Sequence, residues 1–217
     1  MLHQLLLATS LFVLALLIVP LLGRLRDLRG VRRPFGSLGY FMCLGVAYIG
    51  IELTLMQRFS LFLEHPVYSM VVLLSSILFA SGVGSASTSV IDREPARHAV
   101  RRLAMLVGVL AVYGVLLPLV TRALIGLPLL VKMLVAIALA SPPAYLMGML
   151  FPLGVTALRE RAASLVPWAW GLSSAFSVFG GLLSLLFAMS FGYTATWYLF
   201  TGVYALALVA ARRLVGA

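Results

Sequence analysis

The chain has 217 residues, of which 63% are apolar and 10% charged, with a formal charge of +10. Soluble globular chains carry roughly 45–50% apolar and about 25% charged residues, so there is too little polar surface here for a water-soluble fold. A mean hydropathy of +1.11 excludes disorder and coiled coil, and a single cysteine, Cys43, excludes a disulfide scaffold.

A helix crosses the hydrocarbon core in about 20 residues. Apolar stretches at about 2–22, 37–58, 67–89, 103–124, 129–152, 168–190 and 193–211 meet that length. They predict an all-α polytopic bundle of about seven transmembrane helices, a single domain over 1–217. The first stretch lacks the basic start and the small-x-small cleavage pattern of a signal peptide, and reads as a mature helix. Between the spans, basic residues fall mostly on one side. Arg24, Arg26, Arg29, Arg32, Arg33, then Arg93, Arg97, Arg101, Arg102, then Arg159, Arg161, and finally Arg212, Arg213 occupy alternate connections and the C-terminus. Arg58, Arg122 and Lys132 are left for the other side. Basic connections stay in the cytoplasm, which predicts the N-terminus outside and the C-terminus inside. The same residues face anionic headgroups, so membrane lipids are the expected partner for the charge. Nucleic acid is not, because the arginines are scattered over short loops without interleaved aromatics.

The second span carries the one acidic residue placed well inside a stretch. Glu52 precedes Arg58 by six residues, or roughly 9 Å along a helix axis. A charged carboxylate at that depth is costly, so it should face the bundle, be paired or be protonated. Tyr48 lies one turn away and is placed to donate to it. Gln57, Arg58, His65 and Tyr68 follow toward the same end, and with Glu52 and Tyr48 they form the candidate binding cluster. The opposing reading is a structural glutamate held by one neighbour.

The third and sixth spans carry small residues at helical spacing: Ser76, Ala80, Gly84 and Thr88 in one, Ser173, Ser177 and Gly181 in the other. Small residues let helix backbones approach in lipid, so these two helices are expected inside the bundle, with spans one and four facing lipid. Gly82-x-Gly84 lies at the end of an apolar helix without a third glycine, so it is not a nucleotide loop. In the fifth span, Pro142 and Pro143 remove two backbone donors in succession. A helix break or kink is expected there, with Pro152 ending the segment early. Span seven presents Tyr193, Trp197, Thr201 and Tyr204 on one face, the outer part of an aromatic belt.

Metal and cofactor chemistry find no support in the sequence. His3, His65 and His98 lack ligand spacing, and Cys43 reads as a packed apolar side chain. A retinal Schiff base would need a lysine on the last helix, whereas the single lysine, Lys132, opens the fifth span.

The run Gly45-Val-Ala-Tyr-Ile-Gly-Ile-Glu52-Leu-Thr-Leu-Met-Gln57-Arg58-Phe-Ser-Leu-Phe-Leu-Glu64-His65-Pro66-Val-Tyr68-Ser69 resembles the membrane-embedded region of bacterial spermidine-synthase-like (aminopropyltransferase-like) proteins. Leu78-Phe-Ala-Ser-Gly82-Val-Gly84-Ser85, Met147-Gly-Met-Leu-Phe-Pro152-Leu-Gly154 and Trp168-Ala-Trp170-Gly171-Leu-Ser173-Ser174-Ala-Phe-Ser-Val resemble it too. The pattern usually has a small residue where Glu64 stands and an Asn where Ser173 stands. In that family the helices accompany a soluble Rossmann-like domain. No strand, glycine-rich loop and helix for decarboxylated S-adenosylmethionine can be read here, so the resemblance implies membrane architecture without the transferase. The expectation is a non-enzymatic integral membrane module of the bacterial cytoplasmic (inner) membrane, a subunit or anchor for a larger complex or a separate soluble partner. The alternative is binding or transport of a small cationic solute, a cation or amine, through Glu52.

Overall fold

The computed structural model describes residues 34–90 and 94–215, and every regular element among them is helical. In chain order these are α1 (Pro34–Leu63), α2 (Pro66–Ser87), α3 (Pro95–Ala123), α4 (Leu129–Ala162) and α5 (Val166–Val215). Short 3₁₀ turns, Thr88–Val90 and Ala163–Leu165, follow α2 and α4. Proline sets where the helices begin: Pro34, Pro66 and Pro95 open α1, α2 and α3, and Pro128 stands just before α4. At a first helical position proline's fixed φ helps and its missing N–H costs nothing. At the end of α2, the hydroxyls of Ser87, Thr88 and Ser89 donate to the carbonyls of Gly84, Ser85 and Ala86, meeting acceptors that the helix itself leaves open.

Four stretches of the described residues are long and apolar enough to cross a membrane, rather than the seven expected: Gly36–Leu63, Pro66–Ser87, Pro95–Ala123 and Leu129–Arg212. Stretch 2–22 lies outside the described residues. The three stretches expected at 129–152, 168–190 and 193–211 run together because only a 3₁₀ turn and the single residue Gly192 interrupt the helix. Gly192 takes φ 80 and ψ 168, a conformation suited to glycine. Its effect is a reversal of direction. Before it, Gly181 faces Ile49 and Leu53 of α1; after it, Thr194 meets Arg58 and Phe200 meets Gly50, so the second arm of α5 returns along α1.

The proline pair does not break α4. The helix runs unbroken through Pro142, Pro143 and Pro152 to Ala162, which corrects both the expected break and the expected early end. Hydroxyls nearby bond within the helix: Ser141 donates to Ile137 O at 2.7 Å and Thr156 to Pro152 O at 3.0 Å. Pro143 is buried among neighbouring helices, where packing holds the helical path that proline disfavours.

Among the described residues α1 is more enclosed than α2, the expected inner span three: in its most apolar window 67% of residues are buried, against 33% in α2 and 28% in α3. Close backbone crossings hold the bundle together. A Cβ at Gly45 would strike the Ser173 carbonyl, and one at Gly180 would stand 2.6 Å from the Val46 carbonyl oxygen. The α2–α4 contact repeats this reciprocity: Gly84 abuts the Tyr145 carbonyl and Gly148 the Ser81 carbonyl. The small-residue rows thus work as seams. Ser76, Ala80 and Gly84 are buried on α2, and the Ser177 hydroxyl donates to Ser173 O at 2.8 Å beside α1. Two buried bonds cross between helices, Tyr40 OH to Leu150 O and Trp197 Nε1 to Leu110 O, each 2.8 Å.

Candidate functional site

The C-terminal ends of α1 and α3, the start of α4 and the Gly192 turn of α5 meet at one end of the bundle. That end carries Arg58, Arg122 and Lys132. The opposite end receives Arg97, Arg101, Arg102, Arg159, Arg161 and Arg212, as the helix directions require. Two of these three basic residues, Lys132 and Arg58, are tied into the structure by side-chain bonds. Lys132 is buried and its Nζ donates to Glu64 Oε1 at 2.8 Å, with Nζ 5.7 Å from the Phe62 ring centroid. Glu64 sits between α1 and α2 at φ 59, a left-handed conformation that residues with side chains rarely adopt. The bond from Lys132 and its charge hold the Glu64 carboxyl below the usual glutamate range.

Arg58 Nη2 donates to Thr194 Oγ1 at 2.8 Å, which ties the end of α1 to the turn of α5. Its Nε is buried with no hydrogen-bond partner among the described residues. Beside it opens a cavity of about 300 Å³ whose polar wall is Arg58, Arg122, Thr121, Tyr193 and Thr194. Leu61 and Ile125 form part of its apolar wall. Among the described residues the cavity lining therefore includes two arginines and no acidic residue.

The six residues of the expected cluster do not line one cavity, although Tyr48 and Glu52 lie near each other and His65 meets Tyr68. Arg58 alone among them lines the cavity. Glu52 is 8% exposed and forms no ion pair among the described residues. The Tyr48 phenol donates to Ser81 Oγ at 3.4 Å, rather than to Glu52 as expected. Gln57 has a buried Oε1 without a partner among the described residues. His65 is the N-cap of α2 without a side-chain cap bond, and its ring meets Tyr68 edge-on at 5.5 Å on the exposed surface. The reason is angular. Along a helix, residues 48, 52, 57 and 58 point in several directions, and the two residues beyond Glu64 belong to the next helix. Sequence reasoning missed Arg122, Thr121 and Thr194. Arg122 was legible as one of three basic residues on the sparse side, whereas nothing in the sequence singled out the threonines.

Among the described residues no group of three or more His, Cys, Asp and Glu is placed to hold a metal ion. No family model, curated protein or solved structure matches the chain. None of these comparisons links the chain to spermidine-synthase-like proteins.

Proposed function

We propose that this chain is a non-enzymatic membrane module that works by association, a subunit or anchor for a protein partner. The observation that carries this reading is a second small-residue face on α2. Ser76, Ala80 and Gly84 are spent on the seam with α4, but Ser75, Gly82 and Ser85, and Ser89 in the turn that follows, are exposed among the described residues, and a Cβ at Gly82 would meet nothing within 4 Å. In lipid, where apolar burial gives helices no drive to associate, such a face is where another helix packs closely. Large apolar side chains flank it, including Leu78, Phe79 and Val83.

The reading includes the finer topology. The stretch Leu129–Arg212 has 84 residues, about 126 Å if straight at 1.5 Å per residue, against a hydrocarbon core of about 30 Å. We assign it three crossings, turning at Ala163–Leu165 and Gly192, and add stretch 2–22 for seven in all. The more basic end then lies in the cytoplasm of a bacterium, as does the C-terminus. Gentle extraction from native membranes tests the association. A complex heavier than the 23.4 kDa chain with its bound lipid is expected; monomer and lipid alone contradict the proposal.

The burial of Glu52 without an ion partner favours a second reading, solute binding through that carboxylate. The positive cavity wall at Arg58 and Arg122 works against an amine or cation as the solute. Under this reading Glu52→Gln abolishes amine uptake into proteoliposomes while the protein stays folded; unchanged uptake, or none by the parent chain, removes it.

A further inference from the structure

The cavity at the Arg58 end is lined by two arginines that form no ion pair among the described residues. One Arg58 N–H is used on Thr194, and its Nε is buried away from the open space. The Thr194 hydroxyl accepts the Arg58 bond, which leaves its own hydrogen to donate. Arg122, an exposed residue, is the second arginine of the lining. Among the described residues no acidic residue lines that space, and Glu64, at this end of the bundle, is held by Lys132.

Two arginines lining one cavity place like charges near each other, and the repulsion is stronger where lipid or protein lowers the dielectric. An oxyanion between them turns repulsion into attraction. The guanidinium fork matches phosphate oxygens in pairs, which an ammonium cannot do. The volume, about 300 Å³, falls at the small end of ligand pockets, which begin near 300 Å³. The wall is also amphipathic, since Leu61 and Ile125 are 66% and 54% exposed beside the arginines.

We propose that this cavity binds a phosphate-class oxyanion, held by the Arg58 and Arg122 guanidiniums and the Thr194 hydroxyl. The oxyanion is the headgroup of an anionic lipid or a free phosphate, and the same donors receive either.

The full chain in dodecyl maltoside is titrated separately with dihexanoyl phosphatidic acid and with inorganic phosphate, and saturable binding is read by native mass spectrometry and thermal shift. At least one probe binds, and Arg122→Gln weakens it by about tenfold, as expected for the loss of one charge-assisted contact. Arg159→Gln, at the opposite end, leaves binding unchanged. Arg122 is exposed, so its replacement keeps the fold even where Arg58→Gln does not. Binding of the lipid alone assigns the source to a headgroup, and binding of inorganic phosphate assigns it to a free solute. The site is overturned by the absence of saturable binding for both probes. Equal binding by the parent and Arg122→Gln, or equal weakening by Arg159→Gln, also overturns it.

Discussion

Gly84 packs against the Tyr145 carbonyl of α4, whereas Gly82, two residues earlier on the same helix, has nothing within 4 Å of where a Cβ would stand. Both are glycines in an apolar stretch, and one residue between them is enough to turn them to different sides of α2. One side is a seam inside the bundle, closed by backbone on backbone. The other is a face that the described residues leave open. The same contrast holds across the molecule: α1 is enclosed by its neighbours, while α2 and α3 turn most of their surface outward.

Substitutions on the two sides of α2 should separate most widely. Gly84→Leu drives a side chain into the Tyr145 backbone, which cannot rotate away, so a loss of about 3 kcal/mol or more is expected, at the top of the range for overpacking. Unfolding in mixed micelles measures it; a loss under about 1 kcal/mol would mean that the seam is looser than its geometry. A second seam gives a smaller effect. Trp197→Phe removes the indole donor to Leu110 O in a fully buried setting, and a loss of about 1–2 kcal/mol is expected in the same assay.

Smaller still is the effect of Glu64, whose side chain is largely in solvent while its partner Lys132 is buried. Its carboxyl is held below the ordinary range by Lys132, so the ion pair stabilises the fold above that range and loses its contribution as pH falls through the depressed value. Glu64→Gln should therefore lower the thermal midpoint at neutral pH and match the parent in acid. A difference that persists in acid would assign the effect to the strained turn rather than to the charge. Smallest is Gly82→Leu, expected to leave the stability of the purified chain within about 0.5 kcal/mol while reducing recovery of the heavier complex.

Much of the helical architecture was legible in the residues. The apolar runs read at 37–58, 67–89, 103–124 and 129–152 fall within or close to α1 to α4, and the gap read between 190 and 193 is where Gly192 leaves the helix. Which of α1 and α2 is the more enclosed was not legible. In lipid, exposed and buried faces are both apolar, so no amphipathic stripe separates inside from outside, and α1 and α2 read alike. Pro142 and Pro143 misled for a related reason: local propensity argued for a break, and tertiary packing around Pro143 overrode it. Of the site, the charges could be counted but not placed together. Arg58 and Arg122 are far apart in sequence, and only the packing of α3 against α4 and α5 and the reversal at Gly192 bring them to one cavity with Thr194.

The most direct test of the open face is cross-linking from position 82 in intact membranes. With Cys43 replaced by Ala and Gly82 by Cys, a short thiol-reactive cross-linker should yield a product heavier than the single chain, and the same cysteine moved to position 84 should yield none. A chain that stays at its own mass from position 82 would mean that lipid, and no protein, covers that side of α2.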